Sequence, residues 1–285
     1  MSLVVGEINY TNILPLFYYL NREKLSNLGC EFIPKVPSQL NEGMDKGEVQ
    51  VGGISSFSFG EHWDEYLVLP DLSVSAQNEV GSIFLFSKVP ITQLDERSIA
   101  LTSSSATSVN LLKIILKKLY SLNNSYVTME PNYEQMMASH DACLLIGDDA
   151  IRTARHLPSS IYCYDLGALW SHYTGLPMTF AVFAVRKEAW QENGKLLEEL
   201  YDQFQNSKRK SIQNDFHEMI KSIQLNMGGA TSFWNDYFSG LNYDLTDKHI
   251  EGLHLYYDLA YELGLLKEKV QEIKLWNPSG YCQSV

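Results

Sequence analysis

The seven residues from Thr102 to Ser108 include six hydroxyl side chains, since they comprise four serines, two threonines and one alanine. Apolar residues then recur at three- and four-residue spacing and predict a helix from Ser108 to about Tyr120. The hydroxyls and the first backbone N–H groups of this helix all need hydrogen-bond partners. One or two capping residues would satisfy the helix end. The excess of donors therefore predicts a site for a carboxylate or a phosphate.

Small polar residues also follow or precede three predicted strands in the first 87 residues. These residues are Asn9 with Asn12, Ser55 with Ser56, and Ser82. Ligands of open α/β sheets gather outside the carboxyl ends of the strands. Taken singly, Ser55 and Ser56 are best explained as helix caps. Together with the hydroxyl-rich turn, the three positions predict one ligand site.

The elements that must position these residues alternate between strand and helix, which predicts an α/β fold with a mainly parallel sheet. A second α/β block follows the first. The two apolar segments Val80–Pro90 and Met178–Arg186 are the expected hinge strands between two lobes. The predicted lobes are residues 1–88 plus 185–285, and residues 89–184. Closing such lobes around a ligand would exclude water from the cleft between them.

The C-terminal part of the chain is strongly helical in pattern. Its Leu, Ile, Tyr and Phe stripes indicate core-facing sides, and its charged residues indicate solvated sides. The predicted helices are Glu188–Asn206, Ser207–Gln224, Gly229–Phe238 and Thr246–Leu263.

Composition excludes several classes of function. The chain has 285 residues, 45% of them hydrophobic, and a net charge of −12. That charge argues against binding to nucleic acid or to an anionic membrane surface. An anionic ligand must therefore be held by local donors. No run approaches the length of a membrane span.

The residue composition also predicts the cellular compartment and whether a cofactor is needed. The N-terminus lacks a basic segment followed by an apolar core, so no signal peptide is expected. The cysteines Cys30, Cys143, Cys163 and Cys282 are widely spread and predict free thiols in the cytoplasm. The seven histidines form no metal-binding spacing. We therefore expect neither a metal nor another cofactor.

Several short motifs resemble one known family, the chorismate dehydratases of the futalosine route to menaquinone. The motifs occur in order along the chain, and the first one contains the Asn-x-Leu-Pro-Leu pattern of the family. They are Val5–Leu16, Gly47 with Ile54-Ser55, Gly81-Ser82, Ser105–Val109, Leu145–Ala150, and Asp165–Trp170 leading to Thr174–Pro177. The resemblance implies a type II periplasmic-binding-protein fold that serves as a cytosolic enzyme.

This resemblance implies a hydro-lyase that converts chorismate to 3-[(1-carboxyvinyl)oxy]benzoate and water without a cofactor. Loss of a ring proton and the neighbouring hydroxyl makes the ring aromatic, so a weak base is enough. In the family, the enolpyruvyl carboxylate of the substrate is the proposed base. Asn12 would orient that carboxylate or the departing hydroxyl, and Ser82 would hydrogen-bond the same region. Catalysis would then depend on positioning and hydrogen bonding.

The resemblance also implies a set of substrate-binding residues. They are Ser55, Ser56, Ser104, Ser105, Ala106, Thr107, Gly147 and Asp148. The turn at Ser104–Thr107 would bind a substrate carboxylate at its helix N-terminus. The family turn commonly carries an arginine where this chain has Ala106, so a cation is missing. The turn must then act through neutral donors and the helix dipole.

Two alternatives remain open at this point. The first is a dihydroxynaphthoate synthase of the same pathway and fold, which needs a histidine base for carbon–carbon bond closure. The second is a solute-binding protein that captures an aromatic carboxylate without chemistry, since a fold does not determine a function. The ligand in every case is a small molecule. A monomer or a homodimer is expected.

Overall fold

The chain is described by a computed structural model covering residues 2–8, 10–277 and the backbone at 283–284. Asn9 and Cys282 lie outside the described residues. The strands form two sheets, joined and covered by helices. The strands are β1 (Leu3–Ile8), β2 (Cys30–Lys35), β3 (Val51–Ser55), β4 (Tyr66–Ala76), β5 (Ile83–Ser87), β6 (Ser98–Thr102), β7 (Ser125–Met129), β8 (Ala142–Ile146), β9 (Tyr162–Asp165), β10 (Met178–Arg186), β11 (Leu241–Asn242), β12 (Lys274–Leu275) and β13 (Gln283–Ser284).

Helices cover both sheets and make up most of the C-terminal part. They are α1 (Leu14–Phe17), α2 (Arg22–Leu28), α3 (Pro37–Asp45), α4 (Ser56–Glu61), α5 (Ala106–Ile114), α6 (Tyr133–Ser139), α7 (Gly147–Ala154), α8 (Leu166–Thr174), α9 (Lys187–Gln213), α10 (His217–Met227), α11 (Thr231–Gly240) and α12 (Asp247–Glu262). Helix α5 continues as a π-helical turn over Ile115–Leu119. Among the described residues, no helix is both long and apolar enough to cross a membrane.

The first sheet has the strand order β13-β12-β4-β10-β3-β1-β2, with β11 added beside β4. Strand β1 is parallel to β2 and β3, whereas β10 runs antiparallel to both of its neighbours, β3 and β4. Strand β10 is buried from Met178 to Val185, because helices cover both faces of the sheet. A strand covered on both sides needs a continuous apolar run, and this segment has one.

The second sheet has the order β7-β6-β8-β5-β9. Strand β6 is parallel to β7 and β8, and β5 is antiparallel to β8 and β9. The predicted two-lobed α/β architecture is confirmed, with one sheet in each lobe. The prediction of a mainly parallel sheet is wrong, because β10 and β5 each run antiparallel to both of their neighbours and both sheets are mixed.

The crossings between the two sheets lie earlier than the predicted hinge segments. The chain leaves the first sheet after Ala76 and enters the second at Ile83; it leaves the second after Asp165 and returns at Met178. Residues 83–87 therefore belong to the second sheet and residues 178–184 to the first, which differs from the predicted lobe limits at 88/89 and 184/185. Both segments are too apolar to cross between lobes in contact with solvent, so they are buried as sheet strands.

One carboxylate joins the two crossings. Asp165, at the start of the second crossing, accepts hydrogen bonds from the backbone N–H groups of Val80 (3.1 Å) and Gly81 (2.7 Å) in the first. It also caps α8 by accepting from Ala168 N–H at 3.0 Å. The crossings are thus held side by side beneath the two sheets.

The helical tail packs mainly on the first sheet. Helix α9 continues through Ser207, where the sequence predicts a break between helices. The hydroxyls of Ser207 and Ser211 both donate to the backbone carbonyl of Pro15, at 2.9 and 3.0 Å. Ser207 is therefore a buried contact between α9 and α1 and does not cap a new helix.

Candidate active site

A small cleft with a cavity volume of about 50 Å³ lies where the strand ends of the two sheets meet. That volume is smaller than the ~300–1,000 Å³ that is typical of small-molecule sites. The walls are mainly apolar, with Ile8 and Val74 from the first sheet and Ile83 and Ile146 from the second. The polar lining residues are Tyr10, Asn12, Ser55, Ser105 and Ser108. None of the described lining residues carries a formal charge at neutral pH.

Asn12 enters the cleft from the short 3₁₀ turn Thr11–Ile13 that follows β1. The Tyr243 hydroxyl donates to the Asn12 backbone carbonyl at 3.0 Å and fixes the turn from behind. Within the described part of the chain, the Asn12 side-chain amide makes no hydrogen bond. This half-buried amide is therefore available to donate to, or accept from, a ligand.

Helix α5 begins at the cleft, two residues earlier than predicted. Ser105 is its N-cap and accepts a hydrogen bond from Ser108 N–H at 3.2 Å. Its hydroxyl also donates to the Ser108 hydroxyl at 3.0 Å. The backbone N–H groups of Ala106 and Thr107 come next and have no intrahelical acceptor. The helix therefore presents two N–H donors and the positive end of its dipole next to the cleft, as a carboxylate site requires.

The other hydroxyls of the turn do not line the cleft. Ser104 and Thr102 share a hydrogen bond of 2.7 Å between their hydroxyls, and Ser103 donates to Glu130 at 3.0 Å. Ser104 also interacts with the Tyr10 phenol. Of the six hydroxyls in the turn, only those of Ser105 and Ser108 belong to the cleft lining.

Thr107 joins the two lobes. Its hydroxyl accepts a hydrogen bond from Phe57 N–H at 3.0 Å, at the start of α4. Helix α12 secures both helix starts, because Tyr256 donates to the Thr107 carbonyl (3.2 Å) and Tyr257 to the Ser56 carbonyl (2.8 Å). The Thr107 hydroxyl therefore serves the contact between α4 and α5 in this structure.

We expect Thr107→Val to lower the free energy of unfolding by about 1–3 kcal/mol. The substitution keeps the shape of the side chain but leaves the buried Phe57 N–H without an acceptor. Denaturant unfolding monitored by circular dichroism measures the effect. Thr128→Val on the exposed strand β7 is the matched control and should stay within about 0.5 kcal/mol of the parent protein. An unchanged stability of the Thr107→Val protein would contradict the assignment.

Ser55 and Ser56 differ in their surroundings. Ser55 lines the cleft as the N-cap of α4, where its hydroxyl accepts from Ser58 N–H and the Asn41 amide, each at 3.1 Å. Ser56 is fully buried and donates to the Thr179 carbonyl at 2.7 Å. Only Ser55 therefore faces the space where a ligand would lie.

Gly147 and Asp148 meet the first lobe through Tyr10 and Thr11. Gly147 has a φ of +59°, and a Cβ added there would lie 3.1 Å from the Tyr10 ring, so this contact needs glycine. Asp148 accepts a hydrogen bond from Thr11 N–H at 3.3 Å and lines an adjacent groove outside the cleft. Burial raises the pKa of the Tyr10 phenol, which stays neutral at neutral pH.

Ser82 lies behind the cleft wall, next to Ile83. It is fully buried, and its hydroxyl makes only a long hydrogen bond of 3.4 Å to the Val80 carbonyl. Its side chain adjoins the phenol of Tyr237 from α11. The structure thus brings Asn12, Ser55 and Ser105 into one cleft, and places Ser82 directly behind it.

The sequence-based prediction missed three tyrosines at this site. Tyr10 lines the cleft, and Tyr237 and Tyr243 support it from the helical tail. Tyr10 falls inside the first family-like motif, which is a signal for it. Tyr237 looks like an ordinary core aromatic of a predicted helix, and Tyr243 lies between two predicted helices. Only the tertiary structure brings them to the site.

The described residues at this cleft offer neither a metal-binding group nor a histidine. Among the described residues, no group of three or more His, Cys, Asp or Glu could hold a metal ion. Histidine is also missing from the described residues that line the cleft. The arrangement can therefore bind an anion through N–H and hydroxyl donors and can orient it with an amide.

The two sheets, the paired crossings and the cleft define a two-lobed ligand-binding fold. A periplasmic aliphatic sulphonate binding protein from Escherichia coli has the same fold, with a TM-score of 0.69. The match covers 97% of this chain and 92% of that protein at 13% sequence identity. The predicted periplasmic-binding-protein-like fold is confirmed.

Sequence relationships are more specific than the fold. Residues 3–262 match a family model described as menaquinone biosynthesis. A chorismate dehydratase from Thermus thermophilus is 36% identical over 199 residues, which are 65% of this chain and 70% of that protein. A second one, from Campylobacter jejuni, is 29% identical over 191 residues, 66% of this chain and 70% of that protein. The chain belongs to this menaquinone-biosynthesis family, and the resemblance drawn from its motifs is confirmed.

Proposed function

We propose that this chain is a chorismate dehydratase that eliminates water from chorismate and forms 3-[(1-carboxyvinyl)oxy]benzoate. The observation that carries the proposal is the cleft itself, which offers an unpaired amide and a helix N-terminus but, among its described lining residues, no base that ionises near neutrality. Its family membership and the two related dehydratases support the same reaction.

The donors of the cleft suit the charge of this substrate. Chorismate carries two carboxylates, and the start of α5 holds one of them through the Ala106 and Thr107 N–H groups, with Ser105 beside them. Asn12 orients the enolpyruvyl carboxylate or the departing hydroxyl. Preorganised neutral donors of this kind strengthen in an apolar cleft from which water is excluded.

The chemical step needs little from the protein beyond this positioning. The enolpyruvyl carboxylate takes the ring proton, and the C–H electron pair forms the new ring double bond. The carbon–oxygen bond to the neighbouring hydroxyl breaks, and that group leaves as water with the proton that the carboxylate has taken up, which restores the carboxylate. Ser82 acts at the departing hydroxyl in this proposal. Aromatisation drives the step, so holding the reacting groups together supplies the main catalytic effect.

The remaining substrate-binding residues differ in whether they contact the substrate or shape the cleft around it. Ser55 contacts the substrate directly, because it lines the cleft. Ser56, Ser104 and Thr107 shape the cleft through their partners, and Gly147 and Asp148 hold its mouth through Tyr10 and Thr11. We further propose that the protein acts in the futalosine route, in the cytoplasm, as a monomer or a homodimer.

Both alternative functions are weaker on specific grounds. A dihydroxynaphthoate synthase needs a histidine base, and the described lining of the cleft has none. A solute-binding protein would share the fold, but the sequence relatives with high coverage are named as dehydratases.

Incubation of the purified protein with chorismate tests the proposal. We expect a product lighter by one water, with the ultraviolet spectrum of an aromatic carboxylate, detected by liquid chromatography and mass spectrometry. Chorismate without protein is the control for spontaneous rearrangement. Tight binding of unchanged chorismate would contradict the enzyme and favour the solute-binding alternative. A lack of both binding and conversion would contradict both functions.

A further inference from the structure

Two tyrosines from the helical tail reach the residues proposed to be catalytic. Tyr243 donates its hydroxyl to the Asn12 carbonyl at 3.0 Å. Tyr237 packs against the first crossing, where a Cβ added at Gly81 would lie 3.1 Å from its ring. The side chain of Ser82 adjoins the Tyr237 hydroxyl, and the two phenols are close enough to interact electrostatically. The tail therefore contacts both residues from behind the cleft.

The Tyr237 hydroxyl is buried without a partner. No described atom makes a hydrogen bond of normal geometry with it. The hydroxyl of its neighbour Ser82 is poorly satisfied as well, because the one hydrogen bond of normal geometry that it makes with a described residue is the long one to the Val80 carbonyl. Burying an unpaired hydroxyl costs free energy. Phenylalanine at position 237 would fill the same space without that cost, so folding alone does not explain this hydroxyl.

We propose that Tyr237 is a positioning residue for Ser82, an inference that rests on the dehydratase function proposed above. With substrate in the cleft, the Tyr237 hydroxyl donates to Ser82 Oγ. The Ser82 O–H then turns away from the Val80 carbonyl and towards the departing hydroxyl of the substrate.

The surroundings of Tyr237 suit this role. Ring contacts with Trp234 and Phe238, at centroid distances of 5.8 and 5.1 Å, hold the phenol in one orientation. Burial raises the pKa of the phenol, so it remains a protonated donor at neutral pH. Ser82 directly precedes Ile83 of the cleft wall, so its hydroxyl lies one residue from the lining.

The Tyr237→Phe variant separates this role from a structural one. We expect kcat to fall about tenfold, the effect of one hydrogen bond, with KM within about twofold of the parent value. We also expect a Tm that is unchanged or higher, because the unpaired hydroxyl has been removed. A purely structural hydroxyl would instead give a lower Tm and no specific loss of kcat.

Tyr66→Phe is the matched control. The Tyr66 hydroxyl is also buried and unpartnered. It lies at the other end of β4 from Val74 of the cleft: their partners on β10 are Arg186 and Ala181, five residues apart, so the separation is roughly 17 Å at ~3.3 Å per residue. This variant should keep the parent kcat, so that a loss in Tyr237→Phe reports the position of the hydroxyl rather than its removal.

A double-mutant cycle with Ser82→Ala tests whether Tyr237 acts through Ser82. The proposal requires that Tyr237→Phe has no further effect on kcat once the Ser82 hydroxyl is gone. It is overturned if the tyrosine variant keeps full kcat, loses the same factor in both backgrounds, or fails to fold. If the parent protein turns over chorismate, such a result contradicts only this inference. If the parent is inactive, the proposed function and the inference both fail.

Discussion

Replacing Asn12 should lower kcat by about 100-fold or more, which is the usual effect of removing one preorganised donor from an active site. Two variants at this position should differ in the size of their effect. Asn12→Ala removes the amide, whereas Asn12→Asp keeps its shape and adds a negative charge to a cleft whose described lining has no cation. We therefore expect kcat/KM to fall further for the aspartate variant, because the added charge repels the dianionic substrate. Steady-state kinetics with chorismate measures both values.

Asn214→Ala is a matched control for the loss of an asparagine amide. Asn214 caps the C-terminal end of α9, and its exposed amide donates to the Tyr19 hydroxyl at 3.3 Å. This variant should retain the parent kcat. Near-normal turnover in both Asn12 variants would remove Asn12 from the mechanism, while the chorismate reaction itself could still stand.

Changing the charge at position 106 should shift the KM for chorismate in opposite directions. In Ala106→Glu, a carboxylate about 5 Å from a substrate carboxylate would repel it by about 3 kcal/mol at an effective dielectric constant near 20, less after salt screening. We expect KM to rise at least about tenfold. Ala106→Arg introduces the basic residue common in the family turn and should lower KM. Both values come from initial rates at fixed ionic strength.

The change in KM should not arise from a change in the stability of helix α5. A glutamate in the first turn of a helix interacts favourably with the helix dipole, so Ala106→Glu should keep its Tm. Ala106→Gln supplies a side chain of the same length without charge and should stay close to the parent KM. If glutamate and glutamine variants have the same KM, the start of α5 does not bind a substrate carboxylate.

The hydroxyl-rich turn illustrates what sequence can predict about a site. Hydroxyl density and helix periodicity were enough to locate the start of α5 to within two residues. They could not separate Ser105, which lines the cleft, from Thr107, whose hydroxyl accepts from Phe57 N–H. That difference depends on a residue 50 positions away, so no local pattern contains it.

Tyr237 and Tyr243 show which site residues a sequence pattern cannot identify. Tyr237 and Tyr243 lie in an aromatic-rich segment whose pattern indicates buried core, and both are indeed buried. Their contacts with Ser82 and the Asn12 carbonyl arise because the tail returns to the first lobe. Long-range packing of this kind leaves no periodic trace in the sequence.

The lobe limits differed from the prediction for a related reason. An apolar run predicts a buried strand well, as Ile83–Ser87 and Met178–Arg186 show. The run does not say which sheet the strand joins, since that depends on pairing with distant strands. That these segments are strands was therefore more predictable than the sheet that each one joins.

The central place of β10 has a consequence for the emerging nascent chain. Strand β4 reaches β3 only through β10, so the first sheet cannot close until residues 178–186 have left the ribosome. The second sheet uses the uninterrupted segment 83–165 and can assemble before that point. Domains usually fold in order of synthesis. Here the lobe that carries the N-terminus is completed last.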